Sequence, residues 1–452
     1  CERLWGTGEL SGLRAVKAVK LSRHCRGNPY PANIMISISR CIYGTSYKLL
    51  LFDKNLLLFS PFKDRPSYGF IQKVNYVNVY MKWKKDPAYD SIETIHKSLE
   101  LKPIIALKNC IVENPNRCIP ISAVSKRGRE LDVPVKVARF MRQYPAVFEE
   151  FVGPQYNLPW FKLTQKAIEI DKEENAVYED FRSDLRLRLK KLILMTTEKR
   201  LPLRIIQGVQ WYLGLPDEFL KNPESNLDES FKFVEMEDGD KALSVDCGER
   251  MLSSLQKNAM NRGGYGGEWM EPIPFPLFPS KGSRLKRKIS DWLDEFQKLP
   301  YVSPYEDFSH LHPDTDIAEK RVVGVLHELL GLFVEQAAQR KRLLCLKKYL
   351  QLPQKFHKVF ERHPHMFYLS LKNNTCTAIL KEAYRDDSAI EKHPLSVVRK
   401  KYIELIKESE TILKQRRSNN YSACRQNADS DPDLVSNSDY IVDVSGDMHK
   451  CS

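Results

Sequence analysis

Lys136, Arg139 and Arg142 recur at every third position, and Lys355 and Lys358 repeat the spacing far downstream. On a helix this places cations along one flank, where each can neutralise a phosphate of a nucleic-acid backbone. Lys126, Arg127 and Arg129 cluster before the first group, and Arg340, Lys341, Arg342, Lys347 and Lys348 before the second. A third cluster holds Arg284, Lys286, Arg287 and Lys288. Taken singly, each run reads as a solvated face. Their coincidence with an internal repeat and with a net charge of +13 points instead to a polyanionic partner. One region opposes this trend: Glu224–Arg250 carries nine acidic and three basic residues and should repel nucleic acid.

Other chemistry finds little support. There is no GxSxG elbow and no Walker loop. RGGYGG (Arg262–Gly267) neither follows a strand nor opens a helix, so it reads as a flexible joint. His357, Glu361, His363 and His365 resemble metal ligands in type, but Pro364 interrupts the helix and His363 falls on an inward position. The ten cysteines are scattered without a CxxC pair. Cys110 and Cys345, on helical apolar faces, are read as core residues of a reducing compartment. No catalytic residue, metal, cofactor or small-molecule substrate is expected.

The elements that must position the cations repeat with them. VPVKVARFMRQYPAVFEEFV (Val133–Val152) aligns without a gap on LPQKFHKVFERHPHMFYLSL (Leu352–Leu371). Pro134, Lys136, Pro145 and Phe148 fall on Pro353, Lys355, Pro364 and Phe367. A fainter copy, LPLRIIQGVQWYLGLPDEF, starts at Leu201, with Pro202 second and Arg204 two places on. Proline suits a first helical turn. Apolar or aromatic residues then follow at the spacing of one helical face: Val137, Phe140, Met141 and Tyr144; Ile205, Gly208, Val209 and Tyr212; Phe356, Val359, Phe360 and His363. Pro145 and Pro364 end their helices. Upstream of the copies lie amphipathic stretches, Ile92–Val112, Tyr178–Thr197 and Ile317–Ala337, with shorter helical segments at Ile121–Leu131 and Arg340–Leu350. Downstream are hairpins, FKFVEM to KALSV and MFYLSL to TCTAIL, joined by turn residues. The expected fold is therefore mainly α with short β-hairpins (α+β). It comprises three winged-helix-like repeats in tandem, at about 88–170, 178–250 and 315–385, with an insertion at 251–314.

The flanks differ in composition. From Leu10 to Phe52 there are seven Lys or Arg and no acidic residue, so 1–79 reads as an organelle transit peptide or leader. The segment 410–452 reads as a disordered acidic tail. In the insertion, Trp292, Leu293, Phe296 and Leu299 form one face of a basic-started helix, followed by an aromatic-rich turn. LLLFDKNLLLF (Leu49–Phe59) is too short and too charged to span a bilayer, and no membrane insertion is expected.

Several motifs together resemble the plant organelle RNA recognition (PORR) domain family. They include KKDPAYD (Lys84–Asp90), YPAVFEEF with PWFKLT (Tyr144–Thr164), RLPLRIIQGVQWYLGLP (Arg200–Pro216) and DWLDEFQKLPYVSPYED (Asp291–Asp307). AEKRVVGVLHELLGL (Ala318–Leu332), LPQKFHKVFERHPHMFYLSLK (Leu352–Lys372) and EKHPLSVVRKKYIEL (Glu391–Leu405) complete the set. Within the family the motifs look most like the mitochondrial "What's This Factor" group. The resemblance implies an RNA-binding domain over 80–409. It also implies a non-catalytic protein that promotes group II intron splicing in the mitochondrial matrix, with the chloroplast stroma as the alternative. Its partners would be organellar intron-containing RNA and other splicing factors. Two further readings stay open: a DNA-binding transcription or termination factor of the organelle, and a protein-interaction scaffold of a splicing complex.

Overall fold

The computed structural model describes residues 84–153, 158–221, 226–246, 248, 250–268, 270–280, 285–385 and 392–428. The leader at 1–79, Arg284 and the tail after Ala428 lie outside the described residues. The fold is mixed, mainly helical with three small antiparallel sheets.

One order of elements occurs three times: helix, short strand, helix, helix, strand, strand. The first set runs α3 (Ser98–Glu113), β1 (Cys118–Pro120), α4 (Ile121–Ser125), α5 (Val137–Arg142), β2 (Phe148–Val152) and β3 (Pro159–Leu163). It follows two single-turn helices, α1 (Pro87–Asp90) and α2 (Glu93–His96), and precedes α6 (Gln165–Asp180). The second set is α7 (Arg182–Leu194), β4 (Arg200–Pro202), α8 (Leu203–Leu213), α9 (Asp217–Lys221), β5 (Phe231–Glu235) and β6 (Lys241–Val245). After α10 (Ser254–Asn261) and α11 (Arg287–Gln297) comes the third: α12 (Asp316–Gly331), β7 (Ala337–Gln339), α13 (Arg340–Leu346), α14 (Lys358–Arg362), β8 (Phe367–Ser370) and β9 (Thr377–Leu380). In each sheet the last strand of the set lies between the other two, in the orders β1-β3-β2, β4-β6-β5 and β7-β9-β8.

Backbone geometry fixes the correspondence and corrects one alignment. A residue with positive φ precedes each short strand: Arg117, Lys199 and Gln336. Another precedes each proline pair: Asp132 (φ 54°), Gly214 (φ 80°) and Gln351 (φ 46°). The counterpart of Val133-Pro134 and Leu352-Pro353 in the second set is therefore Leu215-Pro216. Leu201-Pro202 instead belongs to strand β4, and α8 corresponds to α4 and α13. The prolines also stand outside the helices: α5 starts three residues after Pro134, and α14 five after Pro353. The intervening residues form turns, such as the Phe356 N–H to Pro353 carbonyl bond of 3.0 Å.

Two large cores and a smaller cluster around Tyr89, Tyr368 and Ile379 hold the sets. Leu101, Ile104, Phe140, Met141 and Phe161 pack with Tyr402, Ile403 and Ile406 of a final helix, α15 (Leu395–Ala428). The second and third sets share the other core, in which Leu189, Ile206 and Leu243 join Leu326, Phe356 and Phe360. Buried charges link the parts. Lys108 donates to Asp171 (2.7 Å) and Glu174 (2.8 Å), tying α3 to α6. Glu328 accepts from Lys191 (3.1 Å), the Tyr305 hydroxyl (2.8 Å) and the Ser254 amide (2.7 Å). Such fully partnered burial is what keeps an interior charge tolerable.

Three compositional readings change. The helix α15 does not stop at Ser409: Ser409 is fully buried, Ile412 packs on the first core, and the 410–428 stretch is helical. The glycine cluster is fastened, since Tyr265 is buried and its hydroxyl meets Gln256 (3.0 Å) and Arg250 (3.3 Å). Cys345 is exposed, because the inward face of α13 is set by Leu343 and Leu346; Cys110 is half-buried.

The insertion contributes Trp292, Leu293, Phe296 and Tyr301 to the shared core. Tyr301 crosses Gly324 of α12 so closely that a Cβ there would lie 2.9 Å from its ring. Gly324→Ala should cost roughly 1–3 kcal/mol by overpacking, seen as a lower denaturation midpoint at unchanged m-value. A native midpoint would mean that the ring can move aside.

Candidate nucleic-acid interface

In the first set the inward positions Val137, Phe140, Met141 and Tyr144 are all buried, which turns the remaining face of α5 to solvent. Lys136 caps the helix and is exposed, as are Arg139 and Arg142. Arg142 is not free, because its Nε and one terminal nitrogen donate to the two Glu150 carboxylate oxygens at 2.7 and 2.6 Å. Arg127, in the turns between α4 and α5, is held likewise by Glu130 at 3.1 and 2.9 Å. These hydrogen bonds raise the pKa of both guanidinium groups. Among the described residues, Lys126, Arg129, Lys136 and Arg139 carry no ion pair and stand exposed.

The third set is the richer one. Arg340, Lys341, Lys348, Lys355 and Lys358 are exposed, again without ion pairs among the described residues. Arg342 is half-buried, and Lys347 is half-buried and donates to Gln354. At the start of α11, Lys286, Arg287 and Lys288 are exposed. Phe356, Val359, Phe360 and His363 point inward, so the two lysines of this cadence flank a buried face.

The second set departs from this pattern at matching positions. Counting from Pro216, Glu218 stands where Lys136 and Lys355 stand, and Lys221 where Arg139 and Lys358 stand. Lys221 pairs with Glu113 at 2.7 Å, and Asn109 donates to Asp217 at 2.8 Å, so α9 is docked on α3. Arg204 on α8 is bound to Asp240 at 2.6 Å.

Sequence reading missed a convergence of charge at the junction of the three sets. Lys102 of α3 lies 5.4 Å from the Trp211 ring and 4.8 Å from Tyr212, and the Arg399 guanidinium is 3.9 Å from Trp211. Burial, then the neighbouring Arg342 and Arg399 charges, push Lys102 down to about 8. Distant segments supply these groups, so no spacing announces them. Cations stacked on a half-buried tryptophan can be worth about 0.5–2 kcal/mol each.

Residues 84–411, most of the chain, match the plant organelle RNA recognition domain. The chain belongs to the PORR domain family. It is 63% identical over 349 residues to Protein WHAT'S THIS FACTOR 9, mitochondrial, of Arabidopsis thaliana, covering 77% of this chain and 90% of that protein. Identity is 29% with Protein WHAT'S THIS FACTOR 1 homolog, chloroplastic, of the same plant, over 73% of this chain and 64% of that protein. Protein ROOT PRIMORDIUM DEFECTIVE 1, also from Arabidopsis thaliana, is 26% identical over 71% and 82%. No solved structure matches. The PORR match takes in all three sets, the insertion and the first part of α15.

Within this PORR domain His363 serves packing. His363 packs against both Trp292 and Phe296, its Nε2 3.0 Å from Glu319. Burial pushes the Glu319 carboxyl up, but the hydrogen bond and charge of His363, with Arg362 beside it, bring it below its ordinary value. Among the described residues no three His, Cys, Asp or Glu converge as metal ligands. No helix among them is long and apolar enough to cross a membrane.

Proposed function

We propose that this chain binds intron-containing RNA of a plant organelle, the mitochondrion, and promotes group II intron splicing without catalysing a reaction itself. The PORR domain supplies the ligand class, and the mitochondrial designation of a relative 63% identical supplies the compartment. The observation that carries the interface is the contrast between sets. The third helix is flanked by exposed, unpaired cations in the first and third sets, and by Glu218 with a committed Lys221 in the second.

Each set is read as a winged-helix-like unit, with helix–helix–hairpin order around a three-stranded sheet. A winged helix ordinarily lays its recognition helix in a DNA major groove. A-form RNA has a major groove too narrow for that. Contacts are therefore assigned to phosphates, 2′-hydroxyls and unpaired bases, through helix flanks and turns. The unit boundaries 88–170, 178–250 and 315–385, and other splicing factors as protein partners, belong to the same reading.

The test starts with competition: unlabelled intron RNA should displace labelled intron RNA, and duplex DNA should not. Displacement by DNA would make the protein a DNA-binding factor; affinity for neither would make it a scaffold. Lys355→Ala with Lys358→Ala should shift stability by no more than about 0.5 kcal/mol. The same pair should weaken RNA binding and flatten its salt slope by roughly one to two. Arg204→Ala, already neutralised by Asp240, should change binding little. Equal harm from Arg204→Ala would contradict the division of labour between sets.

A further inference from the structure

The exposed cations described so far stand on helix flanks and in turns, whereas Arg321 lies in the interior. Between α12, the loop before it and α14 lies a cleft of about 710 Å³, a size usual for sites that enclose a small molecule or cofactor. Arg321 of α12 lines it at only 3% exposure. Its guanidinium lies 3.2 Å from the centroid of the Phe308 ring. Among the described residues its side chain has no hydrogen bond or ion pair, and its Nε is buried without a partner. A buried charge without a hydrogen-bond partner is costly, and burial, opposed by the Tyr301 and Asp307 charges, pushes its pKa down to about 10. The Phe308 ring and the nearby Asp307 charge offset only part of that cost.

The rest of the cleft indicates what would. Phe356 and Val359 give it apolar wall, and Lys355 and Lys358, both exposed, stand at its rim. Asp314 and Asp316 also line it, and would repel a phosphate placed inside. An uncharged heteroaromatic ring meets no such objection. It covers the apolar wall, accepts hydrogen bonds from Arg321, and can donate an amino group to a carboxylate. Unpaired bases of RNA are recognised in this way, by stacking and by their hydrogen-bonding edges.

We propose that this cleft encloses one unpaired nucleotide of the bound RNA, its base against Phe308 and Arg321 and its flanking phosphates on Lys355 and Lys358. The inference rests on the RNA-binding reading and adds to it a site that distinguishes single strands from duplex.

The intact chain is titrated against a labelled single-stranded RNA of about eight nucleotides, within the usual footprint of such sites, and against a fully paired RNA hairpin. Arg321→Met should lose roughly tenfold or more in single-strand affinity, the scale of one stacked base, with duplex affinity nearly unchanged. Its melting temperature should hold or rise, because an unpaired interior charge has been removed. The ratio of the two affinities is unaffected by partial unfolding, so it reports even if the variant is unstable. Arg321→Lys keeps the charge without the planar fork and should lower the ratio too. An unchanged ratio in Arg321→Met, while native protein binds RNA, overturns this inference alone. Failure of native protein to bind either RNA overturns the RNA-binding reading and this one with it. Occupancy of the cleft by an acidic peptide that RNA cannot displace would assign it to a protein partner and overturn the proposal.

Discussion

Raising salt from about 50 to about 200 mM is expected to weaken binding of intron RNA about a thousandfold, the response of a protein neutralising about six phosphates. The structure supports a number of that size. Exposed cations without ion pairs among the described residues are Lys126, Arg129, Lys136 and Arg139 in the first set and Arg340, Lys341, Lys348, Lys355 and Lys358 in the third. Lys286, Arg287 and Lys288 stand at the start of α11. One RNA path cannot touch all of them, and about half would suffice. Arg127 and Arg142 are left out because their carboxylate partners would have to be displaced first. Filter binding across a salt series measures the slope. A nearly flat line would rule out binding dominated by the backbone.

Phe360→Ala should destabilise the domain by about 3–5 kcal/mol, the range for deleting a fully buried ring. Phe360 is 2% exposed, edge-on to Phe367 at 5.2 Å and to Phe356 at 6.5 Å. Its core is common to the second and third sets, so the cavity weakens both together. Lys358, two residues earlier on the same short helix, contributes no such packing. The contrast between the two substitutions therefore separates support from contact. Denaturant unfolding with a preserved m-value is the measurement; a native-like midpoint for Phe360→Ala would mean that the ring is not an anchor of the core.

How much of this was legible depends on whether the signal was local. The inward faces at Val137, Phe140 and Met141, and at Phe356, Val359 and Phe360, follow from spacing and are buried as expected. So is the hairpin at Met366–Leu380, whose turn residues Asn373 and Asn374 take positive φ, a conformation asparagine tolerates. The short strands β1, β4 and β7 were invisible, because three residues cannot display an alternation. The second copy was misplaced because Leu201-Pro202 and Leu215-Pro216 look alike as dipeptides. The left-handed Gly214 before the latter was the usable clue. Arg321 and Lys102 could not be singled out, since each acquires its surroundings from segments distant in sequence.

The beginning of the domain is fastened to its end. Tyr89 stacks on Tyr368 of the third set with ring centroids 5.2 Å apart, and Ser370 donates to Asp90 at 2.7 Å. α15 meanwhile returns to complete the core of the first set. Solenoid proteins, in which each repeat touches only its neighbours, can gain or lose units at either end. This chain is built otherwise: a fourth set would have to displace the Tyr89–Tyr368 stack, and a missing third would leave Tyr89 without its ring partner and the first core without Val334. Repeat number is thus set by closure of a ring of contacts, in which each set supports residues of the others.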